Sequence, residues 1–427
     1  MAILEEGVCK IKYINTKGLG VGSSEQGGVE VPCVMEDELI SFTRHKYRNR
    51  SNCVLTEVLE PNPQRQDPAC PYFTRCGGCR LQHLKDQQYR QLKANMIKLE
   101  LEKAAIQCTV HEAIFVEKSS RRRANFEAIK RDEKLYMGFH RFHSNQIVDI
   151  DVCPALLPEL SSIIPALKEL LGKLLVHKQK AQIFLTKAAN GIDITFEIYK
   201  QGRLNEEQKQ LLKEFAINNE LIKVVFRARK FLEVIHLAQE PYVLFDGVKV
   251  QIDAHCFLQA SASSDQILQD LVIGALSLDP EKTKNQKAVD LFCGRGTYTL
   301  PLSRYCDVEG VEVEPKSIAA LKEACQLSGR QLGLIVRDLF TNPLKTADLN
   351  KYDFAVINPP RAGAEEQIHQ LAYSNINTIV YISCNPETFI RDAKILLNGR
   401  YALAEVTPFD QFYWSGHLEV VGKFILR

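Results

Sequence analysis

The chain carries almost no net charge, no long apolar run and no paired set of cysteines, and each absence removes a class of function. Its 54 lysines and arginines nearly balance 52 aspartates and glutamates, for a formal net charge of +2. The average composition therefore gives no sign of a polyanionic partner, and only local arginine clusters can carry that signal. No stretch approaches the ~20 consecutive apolar residues that a membrane-spanning helix needs, so no membrane partner is expected. The opening Met1-Ala2-Ile3-Leu4-Glu5-Glu6-Gly7 has neither a basic start nor an apolar core, and no secretory leader is expected. The 13 cysteines are an odd number scattered over 427 residues. That pattern favours reduced thiols, ligands or a nucleophile in a cytoplasmic protein over a disulfide framework. An apolar content of 45% and a charged content of 25% are those of an ordinary folded protein, and the length calls for two or three domains. A monomer is expected.

What is present begins with short alternating bursts from Gly7 to about Leu59, broken by Gly18-Leu19-Gly20-Val21-Gly22 and Gln26-Gly27-Gly28. Short strands with glycine turns predict a small closed β-barrel over residues 1–60. One burst, Leu39 to Thr43, leads into Arg44, His45, Lys46, Arg48 and Arg50, a basic strand or hairpin. It reads equally as a solvated edge or as a phosphate-contacting surface. The proline-rich Glu60 to Pro68 marks a joint. Directly after it, Cys70, Cys76 and Cys79 fall within ten residues, the last two flanking Gly77-Gly78, and Cys153-Pro154 supplies a remote fourth thiol. Four thiolates suit Zn²⁺ or a 4Fe-4S cluster, and three close cysteines plus one distant favour the cluster.

Asp86 to Ala105 sets Tyr89, Leu92, Met96, Leu99 and Ala104 among Lys, Gln and Glu, an amphipathic helix. Arg121-Arg122-Arg123, then Arg131, Lys134, His140, Arg141 and His143, interleave with Tyr136, Phe139 and Phe142. Arginine with aromatics is the composition that holds phosphates and stacks bases of single-stranded RNA, although charge runs are commonly just solvated faces. Residues 155–248 alternate helices (Leu156 to Leu175, Asn205 to Asn219) with strands and carry no chemical motif. The middle of the chain, 61–248, reads as one α+β unit.

From residue 249 to 427 strand-helix units repeat. Lys287 to Leu291 is an apolar strand, followed by Phe292-Cys293-Gly294-Arg295-Gly296-Thr297. The glycines let a ligand approach the backbone where a helix starts at Thr297. Glu312 ends a second strand about 20 residues further on, the spacing at which a carboxylate binds ribose hydroxyls. The third glycine of a dinucleotide fingerprint is missing. A cofactor without pyrophosphate is preferred, and S-adenosylmethionine qualifies. Asp338 after a third strand faces an adenine amino group or merely caps a turn. A fourth strand ends in Asn358-Pro359-Pro360-Arg361. A fifth, Ile379 to Ser383, stops at Cys384-Asn385-Pro386, which puts a thiol at the strand edge where ligands bind. Last, Glu419 is a carboxylate in an otherwise apolar strand. Such a group is costly to bury without a partner or a reaction to serve, and harmless at a watery edge.

Taken in order, Pro68-Ala69-Cys70, Cys76-Gly77-Gly78-Cys79, Leu81-Gln82-His83, Cys153-Pro154, Phe257-Leu258-Gln259, the Gly-x-Gly loop, Asn358-Pro359-Pro360-Arg361, Ser383-Cys384-Asn385-Pro386 and His417-Leu418-Glu419 resemble the bacterial RNA 5-methyluridine methyltransferases. The similarity is to the subgroup with an N-terminal TRAM barrel and an iron-sulfur cluster, typified by the ribosomal RNA enzymes. The fold this implies is α/β: a Rossmann-like class I methyltransferase domain (249–427), a central cluster-binding and RNA-binding domain (61–248) and a small OB-like TRAM barrel (1–60). The resemblance implies that the Cys384 thiolate adds to C6 of a uracil in RNA, that C5 takes the methyl group of S-adenosylmethionine, and that Glu419 removes the C5 proton. It further implies that Gln259, Phe292, Glu312, Asp338 and Asn358 line the cofactor and uridine pocket. Ribosomal RNA is the implied partner, transfer RNA the alternative.

The sequence departs from the family pattern at three places. Thr297 stands where Asn is usual and can still hydrogen-bond, so cofactor binding is expected to survive. Ser261 replaces another Asn. Asn358 replaces an Asp, removes a negative charge near the base and creates an Asn-Pro-Pro that resembles amino methyltransferases. Those enzymes follow the prolines with an aromatic, where this chain has Arg361, and have no use for Cys384 and Glu419. A non-catalytic RNA-binding protein would not need that pair either.

Overall fold

A computed structural model describes residues 3–47, 50–228 and 231–427. Arg48 of the basic run lies outside the described residues. The glycine-broken bursts at the N-terminus are strands, and they form two three-stranded sheets, Ile3–Lys10, Leu39–Tyr47 and Arg50–Glu60 in one, Tyr13–Ile14, Leu19–Ser24 and Gly27–Pro32 in the other. Both close on one core that includes Ile11, Val29, Val31, Ile40 and Phe42. Gly22 is required where the two sheets meet, since a Cβ there would fall 2.8 Å from the Lys10 carbonyl oxygen.

The middle of the chain builds a seven-stranded sheet in the order Ile147–Asp149, Lys134–His140, Arg123–Arg131, Lys180–Ala188, Gly191–Ile198, Leu221–Ala228, Phe231–Leu237. Neighbours run antiparallel except Gly191–Ile198 beside Leu221–Ala228. A parallel pair needs a crossover, and helix Glu206–Asn218 supplies it. Asn205 and Gln208 close a capping box at its start, which fixes where the helix begins. The expected helix over Leu156 to Leu175 is two, Pro158–Ser162 and Ile164–Leu174.

The largest sheet has nine strands, of which seven belong to the C-terminal half: β1 (Lys287–Leu291), β2 (Asp307–Glu312), β3 (Gly333–Val336), β4 (Phe354–Ile357), β5 (Thr378–Ser383), β6 (Tyr401–Asp410) and β7 (Glu419–Leu426). Their order is β3-β2-β1-β4-β5-β7-β6. The first five run parallel, and β7 enters antiparallel between β5 and β6. Strands β1, β4 and β5 are buried almost throughout, as expected of apolar runs covered by helices on both faces. Two short strands from earlier in the chain, Thr109–Val110 and Ile114–Phe115, pair with β6. They bring helix Asp86–Lys103 with them, and its buried face packs into the core of this sheet.

That helix differs from its sequence reading. The buried side chains are Tyr89, Lys93, Met96, Ile97 and Leu101, whereas Leu99 is 41% exposed. A lysine takes a core position because its ammonium finds partners there. No helix among the described residues is long and apolar enough to cross a membrane.

Candidate functional site

Parallel strands deliver their carboxyl ends to one edge, where Glu312 ends β2 and Phe292, Asp338, Asn358 and Cys384 follow β1, β3, β4 and β5. Because β7 runs the other way, its first residue reaches the same edge. Ser383 pairs with Val420, so Glu419 lies beside the turn that holds Cys384. The turn is set by the next two residues. Asn385 is extended and caps helix Pro386–Asn398 by accepting from the Glu387 amide at 3.2 Å, and Pro386 occupies the first helical position. The half-buried Cys384 thus precedes the positive end of a helix.

Its thiol is nonetheless pushed up to about 11, first by burial and then by the Glu419 carboxylate, with the Arg361 guanidinium opposing. Arg361 is therefore the positive charge that favours the thiolate. Glu419 is 3% exposed and is pushed up to about 7 by burial, against a hydrogen bond from Gln411. Gln411 Nε2 donates to Glu419 Oε2 at 2.8 Å and to Gln259 Oε1 at 2.7 Å, while its Oε1 accepts from the Ala260 amide at 3.0 Å. A single amide thus ties the candidate base to the Phe257-Leu258-Gln259 loop. Sequence reasoning missed Gln411, because a glutamine between two strands carries no signal without knowing what faces it.

The loop between β6 and β7 is held from below. Asp410 accepts from Lys93 Nζ at 3.1 Å and from the Tyr89 hydroxyl, and Lys93 also donates to the His417 carbonyl. The Lys93 and Asp410 side chains are both fully buried. Trp414 N donates to the Tyr89 oxygen at 2.9 Å. Tyr89 and Lys93, one helical turn apart, therefore clamp both ends of the segment that carries Gln411 and leads into Glu419.

At the other end of the edge, Phe292 takes a left-handed φ of 63°, a strained state for a bulky residue that recurs at functional turns. Its ring meets Phe340 with centroids 5.3 Å apart. Glu312 Oε2 accepts from the Gly294 amide at 3.0 Å, and Oε1 from the Val313 and Glu314 amides at 2.8 and 2.9 Å. The glycine turn and the acid are thus joined. Asp338 acts as a turn acid, accepting from Phe340 N and Thr341 Oγ1, both at 2.9 Å, which hold its carboxyl below the usual range. Asn358 N donates to Leu291 O at 3.3 Å and fixes the Asn-Pro-Pro turn against β1. The expected helix begins at Thr299 instead of Thr297; Thr297 stays in the turn, its carbonyl accepting from Gln269 Nε2 at 3.0 Å. Ser261 caps helix Ala262–Leu276 through the Ser264 amide. Sequence reasoning also missed Asp290, fully buried beneath the turn and pushed up to about 7 by burial, with Thr299 Oγ1 donating to it at 2.6 Å.

Cys70, Cys76, Cys79 and Cys153 line one cavity of about 720 Å³, which Gln259 and Phe412 also line. Burial, with the neighbouring thiols adding to it, pushes Cys79 up to about 12, while Cys153 rises to about 11. Four free thiols around one cavity are the right donors for a soft metal or a cluster. Among the described residues, however, no group of three or more His, Cys, Asp or Glu is drawn close enough to hold a metal ion.

A doubly wound parallel sheet closed by an antiparallel last strand, with its polar residues gathered at the carboxyl edge, defines a class I S-adenosylmethionine-dependent methyltransferase. The same fold is seen in the Pyrococcus abyssi tRNA (uracil-54, C5)-methyltransferase solved with S-adenosyl-L-homocysteine, at TM-score 0.71 and 21% identity, covering 99% of this chain and 100% of that one. Residues 84–427 match the tRNA (uracil-5-)-methyltransferase family, and the chain belongs to that family of S-adenosylmethionine-dependent RNA uracil-C5 methyltransferases. An uncharacterized RNA methyltransferase of Brucella melitensis is 34% identical over 423 residues, 99% of this chain and 98% of the relative. The 23S rRNA (uracil(1939)-C(5))-methyltransferase RlmD of Pectobacterium atrosepticum is 31% identical over 424 residues, 96% and 91% of the two.

Proposed function

We propose that this chain methylates C5 of one uridine in 23S ribosomal RNA through a temporary bond between Cys384 and C6 of the base. The observation that carries this reading is the β5–β7 register, which sets a half-buried thiol beside a buried carboxyl. C5 of uracil is a poor nucleophile. Addition of the Cys384 thiolate at C6 pushes the ring electrons onto C5. S-adenosylmethionine, when bound, supplies the methyl group that C5 then gains. Glu419 takes the proton from C5, the electrons of that C–H bond restore the double bond, and the C6–S bond breaks to free Cys384. A carboxylate whose protonated form is favoured by burial is a stronger base than one in water, which suits this step. Arg361 offsets the charge of the thiolate.

Gln259, Phe292, Thr297, Glu312, Asp338 and Asn358 are the proposed cofactor and base contacts. Residues 1–60 are read as a TRAM-like barrel, 61–248 as the cluster- and RNA-binding domain and 249–427 as the methyltransferase domain. Cys70, Cys76, Cys79 and Cys153 are the proposed ligands of a 4Fe-4S cluster, with zinc as the alternative. Likeness to RlmD supports ribosomal over transfer RNA. The test is nucleoside analysis of RNA from a strain lacking the protein, followed by restoration in vitro. Loss and recovery of one 5-methyluridine in 23S RNA is the expected result, and loss in a transfer RNA instead would reassign the substrate.

A further inference from the structure

Away from the Cys384 edge, a second cavity of about 350 Å³ lies between the N-terminal sheets and the cysteine-bearing loop. A volume near 300 Å³ is the lower end of what small-ligand sites enclose. Among the residues that line it are His45, Asn52, Arg75, Arg141, Phe142 and His143, and none of the described lining residues is a carboxylate. In a chain whose 52 acids nearly match 54 bases, that is a local departure from the average. Arg75 and Arg141 are exposed and form no ion pair among the described residues. Among the described residues their guanidinium groups meet neutral partners, the Pro71 carbonyl at 3.3 Å and the Tyr72 ring for Arg75, and Gln146 Oε1 at 3.2 Å for Arg141. His45 has a buried Nδ1 with no hydrogen-bond partner among the described residues.

The walls are fixed to one another. Gly77 N donates to the His140 carbonyl at 2.9 Å, and Cys76 bridges to Arg141, so the cysteine loop and the turn carrying Phe142 move as one. A Cβ at Gly77 would lie 2.9 Å from that same carbonyl oxygen, which is why glycine stands there. Phe142 is braced by the Arg80 guanidinium 4.5 Å from its centroid and by the His143 ring at 4.0 Å.

We propose that this cavity is a subsite for one unstacked nucleotide of the single-stranded RNA substrate, outside the methylation centre. Arg75 and Arg141 hold phosphate oxygens, Phe142 stacks on the base and His45 hydrogen-bonds its edge. The proposal rests on the RNA-methylating reading and names a place where the strand is gripped apart from the reacting uridine.

Binding of a fluorescein-labelled single-stranded RNA to the full chain, followed by anisotropy over a range of KCl, tests it. The Arg75→Glu, Arg141→Glu pair is expected to bind about tenfold more weakly at low salt and to lower the log–log salt slope by about 1.4, at ~0.7 per single-strand phosphate. Phe142→Leu is expected to weaken binding by about fivefold or more while leaving the slope unchanged. Wild-type affinity and slope in the charge-reversed pair, or wild-type affinity in Phe142→Leu, would overturn the subsite. Melting curves check that the variants fold. If charge reversal prevents folding, the milder Arg75→Gln, Arg141→Gln pair takes its place, with the same drop in slope expected and an unchanged slope counting against the subsite. Repeating the titration in a Cys384→Ala background keeps the answer independent of methyl transfer, so failure of the methylation chemistry and failure of the subsite are separate results.

Discussion

Glu419 is the residue whose environment most sharply separates stability from chemistry. Burial raises its carboxyl from the ordinary 4.5 to about 7, so the native state holds the proton more tightly than the unfolded chain does. Stability therefore falls as pH rises through that window, by on the order of 3 kcal/mol in full. Glu419→Gln should melt higher than the wild type at pH 8, with the gain shrinking as pH falls through about 7 and nearly gone by about 4.5, as differential scanning calorimetry would show. The same change should stop the reaction after methyl transfer, because the amide cannot accept the C5 proton. A methylated RNA–protein adduct should then accumulate on denaturing gels; rapid turnover by this variant would remove Glu419 from its role. If Glu419 and Cys384 both act deprotonated, kcat/KM should rise with pH through about 7 as the carboxyl ionises and keep rising toward about 11 as the thiol does.

The β6–β7 loop is the element on which the site turns, and its anchor sits on a helix 317 to 325 residues earlier in the chain. Lys93→Met leaves Asp410 buried without its cation, a change that typically costs about 3–5 kcal/mol. Adding Asp410→Asn should recover much of that in denaturant melts. If the clamp positions Gln411 and Glu419, the double variant should still form the Cys384 adduct but release it more slowly. The strands of the catalytic sheet were legible as apolar runs ending in Gly, Pro or acid, since parallel strands covered on both faces leave that signature. The clamp was not, because Lys93 reads as a solvent-facing residue of an amphipathic helix until Asp410 is known to lie opposite. Gln411 was illegible for the same reason. Glu419 was singled out as a carboxylate in an apolar strand, but only the antiparallel entry of β7 shows that it is buried and faces the thiol's turn.

At the scale of the whole molecule, three β-rich units meet around the cysteine-bearing loop, whose cavity extends from Cys70, Cys76, Cys79 and Cys153 to the Gln259 loop. Local spacing grouped Cys70, Cys76 and Cys79, and the Cys153-Pro154 pair was expected to supply the remote fourth thiol. Anaerobically purified protein should be brown, with a broad visible absorbance that bleaches on reduction. A colourless protein holding stoichiometric zinc would replace the cluster with the alternative.

The sulfur–carbon bond itself is the most direct object of measurement. RNA carrying 5-fluorouridine has no C5 proton for Glu419 to remove, so with S-adenosylmethionine the reaction should stall as a stable covalent complex. Tryptic mass spectrometry of that complex should place a methylated fluorouridine nucleotide on the peptide containing Cys384. A folded, cofactor-binding protein that methylates uridine RNA yet gives no adduct, or gives one on another residue, would contradict the account.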